Sequence, residues 1–197
     1  MTRNRILLVV GLFAILLIGL TTCGINAVPT AEEEAKAKWA DVQATYQRRA
    51  SLIPNLVATV RGAAASEERI LTGVTQARAD ATRITVSPDQ LTDPAAMARF
   101  SEAQTRLTLS LQRLQEAYPQ LQSQQNFSTL MSQLEGTENR ITIAIRDYNE
   151  AVRAYNTRIR TFPAVVAARV IYGADPMVPF EATVPHADVA PTGDLGN

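Results

Sequence analysis

Apolar residues recur at alternating steps of three and four along most of the chain, which is the spacing of one face of an α-helix. The first such stripe consists of Trp39, Val42, Tyr46, Ile53, Leu56, Val60, Ala63, Ile70, Val74, Ala77 and Ala81. Pro54 lies inside it, and a proline kinks a helix by removing a backbone hydrogen bond, but the stripe keeps its phase. We therefore predict one long kinked helix over residues 31–82, with Thr30 as its cap and Glu33 completing a capping box.

Turn-forming residues end this stripe and precede two further ones. Asp93 followed by proline is a helix-start signal, and it predicts a second helix over residues 94–118. A third helix is expected to begin between residues 120 and 126 and to end near residue 161. A proline then opens a short fourth helix over residues 164–171, which is apolar on most of its sides.

Three long stripes and almost no strand pattern predict an all-α protein, an elongated antiparallel helical bundle of three long helices plus a short C-terminal helix. We assign this bundle to residues 26–172. The longest helices would extend about 50 Å or more at 1.5 Å per residue. Residues 173–197 contain four prolines and several acidic residues, so we expect an extended or disordered acidic tail.

Residues 1–25 form a signal or anchor segment. Arg3 and Arg5 precede an apolar run from Ile6 to Leu20, which is followed by the only cysteine, Cys23. In one interpretation, Leu20-Thr21-Thr22-Cys23 is a lipobox and Cys23 is acylated after cleavage, although Thr22 occupies a position where a smaller residue is usual. In the other, the segment remains as a transmembrane helix, since the run to residue 25 reaches the required length of about 20 residues. The lipidated cysteine is favoured.

Both interpretations place the bulk of the chain on the periplasmic or extracellular side, because the arginines before the apolar run hold the N-terminus inside. The membrane, reached through this segment or through a lipid on Cys23, is thus the first expected partner. The 19 basic and 19 acidic residues cancel, and no dense basic patch of the kind that binds nucleic acid is present. We expect no nucleic-acid partner.

Candidate chemistry is sparse. His186, the only histidine, falls in the predicted tail, and Cys23 belongs to the anchor, so neither supplies a base or nucleophile to the bundle. The nearest approach to a metal site is Glu67–Glu68 or the pair Glu135 and Glu138, which are better explained as solvated helix faces. We expect no enzyme activity, no cofactor, no metal and no small-molecule substrate.

Five polar residues lie close to the apolar stripes, and these are Arg48, Arg49, Asn55, Asn149 and Asn156. Asn149 and Asn156 are seven residues apart and so share one helix face. Polar residues at such positions can fix the register between helices, or they can form a recognition surface for another envelope protein; the register role is favoured. For Arg49 we predict an ion pair with Glu138 or Asp147 of the third helix.

Several segments resemble the bacterial LemA family. They are Tyr46-Gln47-Arg48-Arg49-Ala50-Ser51-Leu52-Ile53-Pro54-Asn55-Leu56-Val57, Tyr118-Pro119 with Asn126-Phe127, Leu134-Glu135-Gly136-Thr137-Glu138-Asn139-Arg140-Ile141, and Asp147-Tyr148-Asn149 through Tyr155-Asn156 to Phe162-Pro163. The resemblance covers residues 25–181. It implies an envelope protein with an N-terminal membrane segment and an exported helical bundle. The start Cys23-Gly24-Ile25-Asn26 is similar to the lipoprotein-type members, and the resemblance implies no reaction.

Two functions follow as expectations. The first is a membrane-anchored scaffold or adaptor for other envelope proteins, to which the anchor and the elongated bundle point. The second is a regulator of an envelope protease or stress response.

Overall fold

The computed structural model describes residue 11 and residues 25–63 and 68–181. The helices in this part are α1 (Ala27–Ala63), α2 (Glu68–Arg83), α3 (Pro94–Ala117), α4 (Gln125–Arg158) and α5 (Ala164–Ala167), which continues as a π-helical turn over Ala168–Tyr172. No strand occurs over these ranges, so the predicted all-α class is confirmed. None of the helices found there is both long and apolar enough to cross a bilayer.

The four longer helices pack antiparallel. Helix α1 packs along α4 and α2 packs along α3. We call the end that contains Ala27, Ile159 and Ala164 the base, because Val28, Ile159 and Ala164 share one cluster of buried residues there. The opposite, distal end contains the C-terminus of α1 and the start of α4. The predicted antiparallel bundle is therefore confirmed.

The predicted helix over residues 31–82 is wrong, because the chain reverses between Ala63 and Glu68. The reversal is shown by a bond from the Arg78 side chain to the carbonyl oxygen of Ala50 (2.8 Å), which brings α2 back along α1. Pro54 lies within α1 on its exposed side, and the helix continues past it to Ala63. The region contains a helical hairpin in place of a single kinked rod.

The helix starts follow local chemistry, with one correction. Asp93 caps α3 as predicted, accepting a bond from the Ala95 N–H at 2.8 Å. Thr30 is not the cap of α1, because that helix begins three residues earlier and the Thr30 hydroxyl donates back to the Asn26 carbonyl oxygen (2.8 Å). Pro29 is compatible with this earlier start, since N–H groups in the first turn have no helical partner.

The core consists of two clusters arranged along the rod. The basal cluster contains Trp39, Phe100 and Tyr148 among its buried residues. The distal cluster begins on α1 at Ile53 and includes Leu107 of α3. Between Tyr46 and Ile53 the buried α1 residues are Arg49 and Ala50, and neither belongs to a cluster, so a layer around Arg49 separates the two clusters.

Residues 174–181 extend the bundle past the predicted boundary at residue 172. Helices α2 and α3 have 16 and 24 residues against 37 and 34 in α1 and α4, so near the base they leave one side of the long pair uncovered. The C-terminal segment covers that side, with Met177 and Phe180 buried in the basal cluster. It is non-helical, as predicted, but its Met177 and Phe180 side chains belong to the core.

Candidate functional site

The C-terminal segment is held by two asparagines of α4. Asn149 donates through Nδ2 to the Phe180 carbonyl oxygen (2.8 Å) and accepts through Oδ1 from the Phe180 N–H (2.8 Å). Asn156 does the same with Met177, at 2.8 Å and 2.9 Å. Each asparagine side chain therefore binds both the N–H and the carbonyl oxygen of one residue, as the backbone of a neighbouring β-strand would. We call this arrangement the asparagine clamp.

The spacing of the clamp follows from the two backbones. Seven residues of α-helix rise about 10.5 Å, and three residues of extended chain span about 10 Å. The heptad from Asn149 to Asn156 therefore matches the three-residue step from Met177 to Phe180, with the segment antiparallel to α4. Pro176 and Pro179 have no N–H, and the Val178 N–H donates to the Leu91 carbonyl oxygen (2.8 Å), which leaves the Met177 and Phe180 N–H groups to the clamp.

Two tyrosines beside the asparagines complete the attachment. The Tyr148 hydroxyl donates to the Val178 carbonyl oxygen (2.9 Å), and the Tyr155 hydroxyl donates to that of Asp175 (3.1 Å). Burial raises the pKa of both phenols; at Tyr155 the Glu32 and Asp175 carboxylates raise it further. Both hydroxyls thus remain protonated donors at neutral pH, and the segment's backbone is satisfied mainly by side chains of α4.

The clamp places Phe180 in an aromatic cluster built by three helices. Its ring lies 5.5 Å from that of Trp39 and 5.7 Å from that of Phe100, both edge-on. Trp39 also lies 5.0 Å from Tyr148 and donates through Nε1 to the Val86 carbonyl oxygen (2.9 Å). The segment therefore contributes a large buried side chain as well as hydrogen bonds.

The second polar constellation is the layer around Arg49. One guanidinium nitrogen, Nη1, donates to Glu138 Oε1 of α4 (2.6 Å) and to the Thr108 hydroxyl of α3 (3.1 Å). The other, Nη2, donates to the side-chain oxygen of Gln104 (2.8 Å) and to its carbonyl oxygen (3.3 Å). The predicted pairing with Glu138 is confirmed. Arg49 thereby links α1 to α3 and α4 at one level of the rod.

Arg49 is the most buried charged group of the described residues. Its side chain is 2% exposed, against 43% for Glu138. The guanidinium carbon lies 4.9 Å from the centre of the Tyr46 ring, within cation–π range. The third guanidinium nitrogen, Nε, is buried and has no hydrogen-bond partner among the residues that the structure describes. Burial raises the pKa of Tyr46 to about 12, so this phenol is neutral beside the arginine.

The remaining predicted site residues fall elsewhere. Arg48 and Asn55 are exposed on α1, and neither side chain makes a hydrogen bond or ion pair with the described part of the protein. Asp147, the alternative partner of Arg49, binds Arg146 (2.9 Å). Cys23 and the apolar run before it lie outside the described residues, apart from Gly11, and His186 also lies outside them. The structure thus assigns Arg49, Asn149 and Asn156 to internal contacts.

Within the described ranges, no group of three or more His, Cys, Asp or Glu side chains is placed so that it could hold a metal ion. Glu138 is engaged by Arg49. Glu67 falls among the residues that the structure does not describe.

Sequence reasoning missed Gln104 and Thr108 of the Arg49 layer, and Met177 and Phe180 of the asparagine clamp. Gln104 and Thr108 are polar positions on an otherwise apolar face of α3, and their four-residue spacing was the available signal. Phe180 was assigned to the tail, although it is the last aromatic residue of the chain and follows a proline.

Comparison with known proteins gives one family. The model of the LemA family matches residues 38–192, which covers most of the chain and includes both polar constellations. No curated protein matches at a significant level. With a match of this extent on a helical bundle of the predicted class, the chain belongs to the LemA family.

Proposed function

We propose that this LemA-family protein is a membrane-tethered scaffold or adaptor of the cell envelope, with its bundle on the periplasmic or extracellular side. The observation that carries this proposal is the start of α1 at Ala27, from which it runs unbroken for 37 residues. Such a helix extends about 55 Å. The apolar N-terminal run is separated from this rod by only a few residues, so a tether there would hold the distal end at a fixed height above the membrane.

The contact surface that we propose for a partner protein is the exposed stripe of α1 formed by Arg48 and Asn55. The two residues are seven apart, so they project from the same face of the helix. Both side chains are exposed and unused by the described part of the fold, unlike Arg49, Asn149 and Asn156. A cation and an amide at heptad spacing fit an acidic or polar helix laid along α1.

Site-specific photo-crosslinking in intact cells tests the surface. A photoreactive amino acid is placed at Arg48 or Asn55 of the full chain, with Gln133 and Arg140 as matched controls, also exposed and seven apart but on α4. We expect the same envelope protein to be captured from both α1 positions and from neither α4 position. Capture of this chain alone from all four positions would contradict the adaptor role. An envelope protease as the captured partner would indicate the regulatory variant of the proposal.

The attachment is tested separately by mass spectrometry of the mature N-terminus and by membrane fractionation. We propose that Cys23 carries the lipid, because the lipobox-like sequence ends at this residue. A diacylglyceryl group on Cys23, lost in Cys23→Ser, is the expected result. An intact N-terminus in the membrane fraction would establish the transmembrane alternative, and a chain found only in the soluble fraction would overturn the tether.

We further propose that the protein binds rather than catalyses. The bonding of the Arg49 layer supports this, because Arg49 donates hydrogen bonds to Gln104, Thr108 and Glu138 and so ties three helices together. Such a layer fixes helix register. Turnover of any substrate by the purified chain, abolished by substitution of a bundle residue, would contradict the proposal.

A further inference from the structure

The base of the bundle exposes an unusual set of large apolar side chains. Phe162, Val166, Val170, Ile171 and Tyr172 are 40% to 79% exposed, and they are five of the six large hydrophobic residues exposed in the described part of the chain. We call these five residues the basal patch. Single exposed apolar residues are common, but five large ones within residues 162–172 indicate a contact surface.

In the short helix α5 and the π-helical turn that follows it, small side chains face the bundle and larger apolar ones face outward. Ala164, Ala167 and Ala168 face the bundle and are buried, whereas Val166 and Val170, four residues apart, lie on the outer face. A helix that served only to close the core would place its larger side chains inside, where each stabilises by about 1.5–3 kcal/mol. Here the larger side chains face outward, so packing within the bundle does not explain them.

The patch lies where the apolar N-terminal segment joins the bundle. Ala27 lines the same surface groove as Phe162 and Pro163, and Val28 shares the basal cluster with Ala164 and Ala168. Ile25 is two residues before Ala27, which is at most about 7 Å of extended chain. A bilayer that holds the preceding apolar run is therefore within reach of the patch.

Basic side chains accompany the patch. Arg158, Arg160 and Arg169 are exposed at this end, and none of them forms an ion pair with the residues that the structure describes. Apolar side chains accompanied by arginines and a tyrosine are typical of surfaces that lie in the headgroup region of a bilayer. Arginine forks also match the geometry of phosphate groups.

From these observations we propose that the basal patch inserts into the headgroup boundary of an anionic phospholipid bilayer, with the three arginines at the level of the phosphates. The inference rests on the tether proposed above and adds a second contact, which sets the orientation of the rod on the membrane. Burial of five large side chains and neutralisation of three arginines would hold the base flat against the bilayer.

Fluorescence quenching by labelled lipids tests this contact in the full chain. Val170→Trp places an indole in the patch, and Gln122→Trp places one at an exposed position of the distal end. Trp39, which is 1% exposed, adds a constant background. The proteins are reconstituted into vesicles of phosphatidylethanolamine and phosphatidylglycerol that carry acyl-chain doxyl groups. After subtraction of the Trp39 emission of the parent chain, we expect the emission of Val170→Trp to fall at least about twofold and that of Gln122→Trp to remain unchanged.

The outcomes separate this inference from the tether. Retention on the vesicles without quenching of Val170→Trp would overturn the basal contact and leave the tether in place, whereas failure to bind the vesicles would overturn both. A dimer that buries the patch, seen as crosslinks between two Val170 positions, would assign the surface to a second copy and overturn the inference. A triple Arg158→Gln, Arg160→Gln, Arg169→Gln chain should lose at least about half of the quenching, because its phosphate contacts are removed.

Discussion

Arg49 of α1 and Glu138 of α4 meet at 2.6 Å, with the arginine buried and the carboxylate half exposed. The two ends of this ion pair are therefore unequal. Glu138 can be hydrated when its partner is removed, but Arg49 cannot. A buried charge without its counter-ion is among the costliest defects that a protein interior can carry.

Glu138→Gln should consequently destabilise the bundle by about 2–4 kcal/mol, because it leaves the buried guanidinium without a negative partner. In an Arg49→Met background the same substitution should cost less than about 0.5 kcal/mol, since only a half-exposed carboxylate is then replaced. The free energy of unfolding in urea, measured for the four chains, gives the coupling. Additive effects of the two substitutions would show that the pair does not act as a unit.

Loss of the clamp should release the C-terminal segment. Asn149→Asp keeps the acceptor for the Phe180 N–H but sets an oxygen against the Phe180 carbonyl, and we expect a loss of about 1–3 kcal/mol. Chymotryptic cleavage after Phe180, followed by mass spectrometry, should accelerate about tenfold for each 1.4 kcal/mol. Asn139→Asp, an exposed change on the same helix, is the control. Equal cleavage rates in the two chains would argue against the clamp.

The contribution of Phe180 to the aromatic cluster can be tested against Phe162 as a control, because Phe180 is 2% exposed and Phe162 is 73% exposed. Phe180→Ala should destabilise by about 3–5 kcal/mol and Phe162→Ala by less than about 0.5 kcal/mol. Trp39 reports the difference directly, since its ring lies 5.5 Å from that of Phe180 and its emission should shift to the red in Phe180→Ala only. A red shift in neither chain would place Phe180 outside the cluster.

Alkaline pH should weaken the bundle through its buried phenols. Burial raises the pKa of Tyr148 above its ordinary value of 10.0, so above pH 10 the unfolded chain loses a proton that the folded chain keeps. Stability is then complete below pH 10 and falls as the pH rises further. Tyr148→Phe cannot ionise, so the stability difference between it and the parent chain should shrink from pH 8 to pH 11. A constant difference in urea midpoints would contradict this.

How far the sequence predicts the fold depends on the kind of signal at each position. Asp93 and the proline after it locate the start of α3 because their chemistry is local. The hairpin between α1 and α2 was missed because Ala63 and Ile70 are seven residues apart, close to two helical turns, so two stripes appeared as one. Gly62 and Ser66, a helix-ending and a helix-starting residue type, were the signals available.

The candidate site was predicted only in part, because some of its residues lie on helical stripes and others do not. Arg49 was predicted to pair with Glu138 or Asp147, of which the structure shows Glu138, and Asn149 and Asn156 were recognised as sharing one face. The partner of the asparagines was not, because Met177 and Phe180 lie in a short proline-containing segment without helical or strand periodicity. Only the three-dimensional match between a heptad and a three-residue step reveals it.

The position of Phe180 also fixes an order of synthesis and folding. The distal cluster draws on residues between Ile53 and Leu134, so it can form while the C-terminal part of the chain is still being made. The basal cluster begins with Val28 but closes only when Phe180 arrives, more than 150 residues later. Complete packing around Trp39 therefore reports that the chain has been synthesised at least as far as Phe180.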